Sequence, residues 1–208
     1  LLISLFLVIG NLDETSKILF HQAVALDNFS NVAKILLILG TLGVVYIGYN
    51  SSDIEDRSKA EFFILVTGVL VGAMLVVGAM NLLSLYLGIE ILSILSYVLA
   101  SLKKNDTNSQ EAGLKYSLYG ALSAAVMLFG MGHLYGITGS LNFVDIANVF
   151  TTLTPEKIQV VKICLVLIFV GIGFKISAFP FHMWSPDVYQ GSPTPVTAFF
   201  SIVPKLAV

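Results

Sequence analysis

Three charged residues lie inside apolar stretches of this sequence. Glu90 occurs in SLYLGIEILSILSYVL, Lys175 in GFKISAFPFHMW, and Lys205 in SIVPKLAV. Burial of a carboxylate or an amine disfavours its charged form, whereas a nearby opposite charge favours it. A buried group held between these two influences changes its protonation state when its partner moves. The chemistry that these residues indicate is therefore proton transfer.

The depth of these residues in their apolar segments leaves two other interpretations open. Glu90 lies about eight residues past Asn81, which is ~12 Å along a helix and near the middle of a span. Lysines at comparable depth should face a bundle interior or a hydrated cavity, since they cannot easily reach the interface. Glu90 as a protonated acid bound to a neighbouring helix is one alternative. A static Glu90–Lys175 ion pair that never titrates is the other.

Two further residues carry candidate proton-transfer groups. Lys115, in EAGLKYSLYG, follows a polar loop by only a few residues, so its side chain either joins the relay or extends back to the interface. His182, in FPFHMW, either carries protons or binds a backbone carbonyl freed by the neighbouring Pro180. Both alternatives stay open for each residue.

Pro180 predicts a discontinuous helix beside Lys175. A proline removes a backbone donor and clashes with the preceding turn, which frees carbonyls near residue 176. Such breaks are tolerated at membrane depth where the backbone lines a cavity or is buried in protein. Polar groups and water can then gather beside the lysine. Trp184 and Tyr189, which follow, have the residue types of membrane-interface anchors.

The composition places the chain in a membrane. Of its 208 residues, 56% are hydrophobic and 12% are charged, and the mean hydropathy is +0.89. A soluble domain has about 25% charged residues, so this chain has too few to cover a surface in water. The sequence contains no cluster of basic residues that would indicate a nucleic-acid partner. Its Cys and His residues do not have the spacing of metal ligands.

The apolar segments predict an all-α, multi-pass transmembrane bundle. A span takes about 20 apolar residues, and Asn81 is the predicted turn that divides the long run from Phe62 to Leu102. The sequence is interpreted as one integral-membrane domain over 1–208, with about six spans and a partial helix at each end, and as an internal fragment of a longer chain. The segments are 1–10, 33–49, 62–80, 82–102, 112–137, 159–179 and 195–208.

Loop charges and small residues add two weaker predictions. Loops 50–61 and 103–111 should share one side, and their Lys and Arg content favours the cytoplasmic side. The small residues Gly68, Gly72 and Gly78 would allow close helix packing in their segment.

Several of these motifs together resemble one known family. The stretch GFKISAFPFHMWSPDVYQGSPTPVTAFFSIVPKLAV is similar to the broken seventh helix and the eighth helix of the antiporter-like subunits of proton-pumping NADH-quinone oxidoreductase, respiratory complex I. The stretch NLLSLYLGIEILSILSYVLASLKKNDTNSQEAGLKYSLYGA resembles the fifth and sixth helices, and GHLYGITGSLNF the end of the sixth. Within the family, VYQGSPTPVTAF resembles subunit N, whereas the sister subunits M and L read more like PDAH…APT. The motifs recur in order and cover nearly the whole chain.

The resemblance implies a fold, a set of site residues and a set of partners. The fold would be the antiporter-like one, built from two inverted repeats, and this chain would hold the first repeat with its discontinuous helix near Pro180. Glu90, Lys175, Lys205 and Lys115 match the family's buried charged residues. Partners would be the lipid bilayer and other membrane subunits of complex I, in a bacterial plasma membrane. NADH, FMN, iron–sulfur clusters and quinone would bind in those partners. This chain would contain no cofactor and no redox centre.

The resemblance favours one function over two alternatives. The favoured hypothesis is a proton-translocating subunit of a translocase, in which redox chemistry in partner subunits loosens the Glu90–Lys175 pair and Lys175 releases its proton toward Lys205 through water near His182. The first alternative is a subunit of a cation/proton antiporter or a membrane-bound hydrogenase. The second is a structural subunit that couples conformations without conducting protons.

Overall fold

The computed structural model describes residues 1–12 and 15–208, and within these ranges it is mostly helical. The elements in chain order are α1 (Leu2–Gly10), β1 (Lys17–Leu19), β2 (Val24–Leu26), α2 (Asn28–Asn50), α3 (Asp56–Val77), α4 (Leu82–Ala100), α5 (Thr107–Thr138), α6 (Phe143–Phe150), α7 (Pro155–Lys175), α8 (Ser185–Gly191) and α9 (Thr194–Ala207).

Five helices of the described ranges, namely α2, α3, α4, α5 and α7, are long and apolar enough to cross a membrane. The prediction of an all-α, multi-pass membrane bundle is therefore confirmed. Two features were not predicted, the short helix α6 and the antiparallel hairpin β1–β2. Both consist of short elements, with eight residues in α6 and three in each strand, and elements of this length do not give a clear periodic signal.

Helix starts follow from polar side chains that bind free backbone amides. Asn81 precedes α4, and its side chain accepts a hydrogen bond of 2.7 Å from the backbone nitrogen of Ser84. This confirms the predicted turn. Asp27 accepts a bond of 2.7 Å from Ser30 at the start of α2, and the Ser30 hydroxyl accepts one from the Asp27 nitrogen in return. Such N-caps satisfy donors that have no partner within the helix.

Glycines allow α3 and α4 to approach backbone to backbone. A Cβ atom added to Gly72 would lie 2.6 Å from the backbone nitrogen of Leu92, and one added to Gly88 would lie 2.9 Å from that of Val76. The packing prediction for Gly72 is confirmed, and Gly88 on the facing helix was missed. This contact fixes α4, which carries Glu90, against α3.

The loops gather at two faces of the bundle. Asp53 pairs with Lys103, and Glu61 pairs with Lys104 at 2.7 Å. Loops 50–61 and 103–111 therefore share one side, as predicted. At the opposite face the hairpin joins the α3–α4 turn, since the Ala25 nitrogen donates a bond of 2.8 Å to the Gly78 carbonyl.

The helix break beside Lys175 is confirmed. Helix α7 ends at Lys175, turns occupy 176–184, and α8 follows. The Phe174 carbonyl freed by the break accepts hydrogen bonds from the Trp184 indole nitrogen at 3.0 Å and the Ser177 backbone nitrogen at 3.1 Å. Trp184 is only 3% exposed. The interpretation of Trp184 as an interface anchor is therefore wrong, because its N–H binds a buried carbonyl of the broken helix.

Candidate functional site

Lys175 is a buried cation at the last residue of α7. Its side chain is 3% exposed. The ammonium nitrogen lies 3.2 Å from the hydroxyl oxygen of Tyr97, 5.3 Å from the centre of the Tyr97 ring and 5.1 Å from that of Phe174. Ring faces attract a cation, and more strongly where water is excluded. Two aromatic rings and one neutral hydroxyl therefore surround this charge.

Glu90 lies on the same face of α4 as Tyr97, because the spacings from Glu90 to Ser93 and from Ser93 to Tyr97 are three and four residues. The carboxyl group interacts electrostatically with both Lys175 and Tyr97. One of its oxygens, Oε1, is buried without a hydrogen-bond partner in the described part of the chain. Glu90 is thus near the lysine but retains an unused acceptor.

The predicted Glu90–Lys175 ion pair is not formed as a contact. Both residues are described, and no nitrogen–oxygen distance of 4.0 Å or less joins them. The physical reason is that the Tyr97 hydroxyl takes the contact with the ammonium group. The two charges interact at longer range, so neither fixes the other's position.

Aromatic side chains hold Tyr97 and the helix break together. The ring of Tyr116 on α5 packs edge-on against Tyr97, at 4.9 Å between ring centres, and stacks on Trp184 at 4.4 Å with an interplanar angle of 6°. Gly120, one turn further along α5, leaves room for Tyr97, since a Cβ atom there would lie 2.1 Å from the Tyr97 hydroxyl oxygen. Helices α4, α5 and the break thus share one aromatic cluster.

Lys205 lies beyond the break, on α9, and His182 lies within the break, which also contains the buried hydroxyl of Ser177. Lys205 is half-buried in the last turn of α9, and its ammonium nitrogen lies 5.3 Å from the ring centre of Tyr189 on α8. The hydroxyl of Tyr189, the Nδ1 of His182 and the hydroxyl of Ser177 are buried without a protein partner among the described residues. Because Trp184 and Ser177 bind the freed Phe174 carbonyl, that carbonyl does not depend on His182.

Lys115 lies apart from the aromatic cluster. Its side chain is 37% exposed and forms ion pairs with Glu111 at 2.6 Å and with Asp187 of α8. This geometry agrees with the alternative in which the lysine extends toward the interface. A role in proton relay remains a prediction for Lys115.

Asp53 anchors the helix that carries Lys205. Helix α9 has no side-chain cap of its own, and Asp53 accepts hydrogen bonds from the Thr194 backbone nitrogen at 2.7 Å and the Thr194 hydroxyl at 3.0 Å, as well as from Lys103. Burial raises the pKa of Asp53, but these hydrogen bonds outweigh it, so that the pKa lies below its ordinary value. A carboxylate at a helix N-terminus is stabilised by the helix dipole.

Sequence reasoning missed Tyr97, Tyr116 and Asp53. Tyr97 carried a signal, because a position seven residues after Glu90 lies on the same helix face. Tyr116 and Asp53 gave no such signal, since their partners lie far away in the sequence. Among residues 1–12 and 15–208, no group of three or more His, Cys, Asp or Glu side chains is placed to hold a metal ion.

Residues 79–208 match a family model described as NADH:quinone oxidoreductase/Mrp antiporter, TM. Among curated relatives, the chain is similar to NADH-quinone oxidoreductase subunit N of Beijerinckia indica, with 41% identity over 98% of this chain and 42% of that protein. The chain spans about two fifths of the length of the curated relatives it matches. The resemblance seen in the sequence motifs is thereby confirmed.

Solved structures give the same result for the fold. A chain of respiratory complex I from Thermus thermophilus superposes with a TM-score of 0.79 at 35% identity, over 99% of this chain and 43% of that one. A chain of the archaeal membrane-bound sulfane sulfur reductase superposes with a TM-score of 0.85 at 22% identity, over 99% of this chain and 44% of that one. The second match supports the fold alone. Together with the family model, these matches confirm the antiporter-like fold.

Proposed function

The chain belongs to the NADH:quinone oxidoreductase/Mrp antiporter transmembrane family, and on this premise we propose that it is the proton-translocating part of a subunit N in a NADH-quinone oxidoreductase. Its relatives carry that subunit's name. The protein would act in a bacterial plasma membrane beside other membrane subunits. NADH, FMN, iron–sulfur clusters and quinone would bind in those partners.

One observation carries the proposal, namely the environment of Lys175. A buried ammonium group that contacts only neutral groups is unfavourable in an apolar interior. If the role of Lys175 were purely structural, an apolar residue could replace it without loss of stability. Lysine residues at membrane depth commonly mark ion pathways. A discontinuous helix beside a buried charged residue, as at Lys175, is a recurring feature of transport sites.

The proposed transfer runs from Lys175 to Lys205. The Lys175 ammonium group gives up its proton and becomes a neutral amine, and Lys205 takes that proton after it has passed its own proton onward. Buried polar atoms of His182, Ser177 and Tyr189 have no protein partner among residues 1–12 and 15–208, and such atoms are usually hydrogen-bonded to ordered water. Water held by them would supply the path between the two lysines.

Glu90 would control this transfer through its distance from Lys175. A carboxylate that approaches a lysine holds its proton in place, and one that withdraws releases it. Moving one charge against 100 mV needs ~2.3 kcal/mol, and a hydrogen bond to a charged group contributes ~1.5–3 kcal/mol. The free energy of exchanging one hydrogen-bond partner of Lys175 is therefore large enough to move one proton against this potential. Redox chemistry in partner subunits would drive the exchange.

The test is proton pumping by the assembled complex with Lys175→Ala or Glu90→Gln introduced into the full-length subunit. Both variants should reduce quinone-linked proton pumping while the complex still assembles. Lys162→Ala is the matched control, because Lys162 lies on the same helix α7 but is exposed. Normal pumping in both variants would refute the proposal.

A second candidate is a cation/proton antiporter subunit, because the description of the family model includes the Mrp antiporter. Transport that requires sodium, measured in vesicles with and without sodium, would favour this function. Transport that is independent of sodium and coupled to quinone reduction would favour the first.

A further inference from the structure

The partner that Lys175 contacts in this structure is Tyr97. The hydroxyl oxygen of Tyr97 lies 3.2 Å from the ammonium nitrogen, whereas no nitrogen–oxygen contact within 4.0 Å joins Lys175 to Glu90. The carboxyl oxygen Oε1 of Glu90 is buried and makes no hydrogen bond to the described residues. A carboxyl oxygen without a hydrogen bond to the described residues thus lies near a cation that is bound to a neutral hydroxyl.

The fold holds the Tyr97 hydroxyl in this place from two sides. On one side Tyr116 packs edge-on against the Tyr97 ring and is itself stacked on Trp184 of the helix break. On the other side Gly120 leaves the space that the hydroxyl fills, since a Cβ atom at 120 would be 2.1 Å from its oxygen. Tyr97 therefore has little freedom to move away from the lysine.

We propose that Tyr97 is a positioning residue that holds Lys175 apart from Glu90, so that the lysine alternates between the tyrosine hydroxyl and the glutamate carboxylate during turnover. The inference rests on the proposed function, and it adds a second position for the Lys175 side chain. In the structure described here, Lys175 occupies the position at Tyr97.

The chemistry of the two partners suits such an exchange. A phenol hydroxyl accepts a hydrogen bond from an ammonium group but carries no charge to neutralise it. A carboxylate accepts the same hydrogen bond and adds a Coulombic attraction to the ammonium charge. The tyrosine can therefore keep the lysine in place without preventing its departure. Loss of the hydrogen bond between the tyrosine hydroxyl and the ammonium group would shift the ratio of the two positions about tenfold or more toward Glu90.

The first variant is Tyr97→Phe in the full-length subunit of the assembled complex. The phenylalanine ring keeps the packing against Tyr116, and only the hydroxyl is lost. A structure of the variant complex should place the Lys175 nitrogen within salt-bridge distance of Glu90, and proton pumping should fall several-fold. In a protein that already carries Glu90→Gln, Tyr97→Phe should cause no further fall in proton pumping. The reason is that the glutamine has already weakened the position of Lys175 beside residue 90.

A second variant displaces the hydroxyl without changing the tyrosine. Gly120→Ala puts a methyl group where the Tyr97 oxygen lies, and the loss of pumping should match that of Tyr97→Phe. Gly132→Ala is the matched control, since it lies on the same helix and a Cβ atom there meets no atom within 4 Å. The control should pump at the wild-type rate.

Two results would overturn the inference. One is a Tyr97→Phe complex in which Lys175 stays in its original position and pumping is unchanged. The other is an equal fold-loss from Tyr97→Phe with Glu90 or with Gln at position 90, which would mean that the tyrosine acts through packing alone. Failure of the proposed function is a different result, in which Lys175→Ala and Glu90→Gln both pump normally.

Discussion

The carboxylate of Asp53 caps the first turn of α9 from a distant loop, and it lies 2.7 Å from the backbone nitrogen of Thr194. Asp53 lies between α2 and α3 and also binds Lys103, which follows α4. One side chain thereby fixes the position of α9 against the helices that carry Glu90 and line the site. Lys205 lies at the other end of the helix that this contact caps.

Replacing Asp53 should loosen the start of α9. Loss of an N-cap typically costs about 0.5–2 kcal/mol of helix stability, so Asp53→Ala should increase amide hydrogen exchange at Thr194 and in the following turn. Asp53→Asn keeps a side-chain oxygen and should have a smaller effect. Hydrogen–deuterium exchange of the purified complex measures both. Asp56→Ala, which removes an exposed carboxylate from the next helix, is the control, and equal exchange in all of these variants would contradict the prediction.

The pH dependence of this contact follows from the lowered pKa of Asp53. A carboxyl whose folded-state pKa is depressed contributes stability above its ordinary pKa, 3.8, and loses it as pH falls through the folded value. Protection of the Thr194 amide, corrected for the intrinsic exchange rate, should therefore stay constant from pH 8 to about pH 5. A decline within that interval would show that Asp53 does not remain ionised.

A larger residue at Gly72 should separate α3 from α4. The added Cβ atom of Gly72→Ala would lie 2.6 Å from the backbone nitrogen of Leu92, and overpacking of this kind costs about 1–3 kcal/mol. The variant complex should lose activity at a lower temperature than the wild type in a thermal-inactivation assay. Gly43→Ala, where a Cβ atom meets nothing within 4 Å, should behave as wild type. Identical inactivation temperatures for both variants would refute the close-contact argument.

Trp184→Phe should disturb the helix break without removing its aromatic packing. Phenylalanine can still stack on Tyr116, but the Phe174 carbonyl loses the indole donor at 3.0 Å. The carbonyl keeps the bond from the Ser177 nitrogen at 3.1 Å, so the loss is that of one hydrogen bond, about 0.5–1.5 kcal/mol, and the change lies next to Lys175. Proton pumping per quinone reduced should fall in the assembled complex. Unchanged pumping would mean that the break does not depend on this hydrogen bond.

The spans and the break could be predicted from the sequence because each depends on local residues. Apolar runs define the helices, Asn81 caps α4, and Pro180 interrupts the segment that contains Lys175. These features follow from the properties of a few adjacent side chains. The observed helices differ from the predicted segments only in their bounds. Helix α7, for example, ends at Lys175, five residues before Pro180.

The contacts inside the site could not be predicted in this way, because they join helices that are distant in the sequence. Spacing placed Glu90 and Lys175 at similar depth, but whether they touch depends on Tyr97 and on the space left by Gly120. Trp184 had the residue type of an interface anchor, but it is buried because a freed carbonyl needed a donor. A sequence pattern identifies the groups, and packing decides their partners.

Proton pumping by the assembled complex with Lys175→Arg distinguishes a lysine that transfers protons from one that serves as a fixed charge. Arginine keeps the positive charge but does not release a proton in proteins. If Lys175 transfers protons, this variant should assemble and lose pumping as fully as Lys175→Ala. If Lys175→Arg pumps at the wild-type rate, Lys175 serves as a fixed charge, and the account of proton transfer through it is wrong.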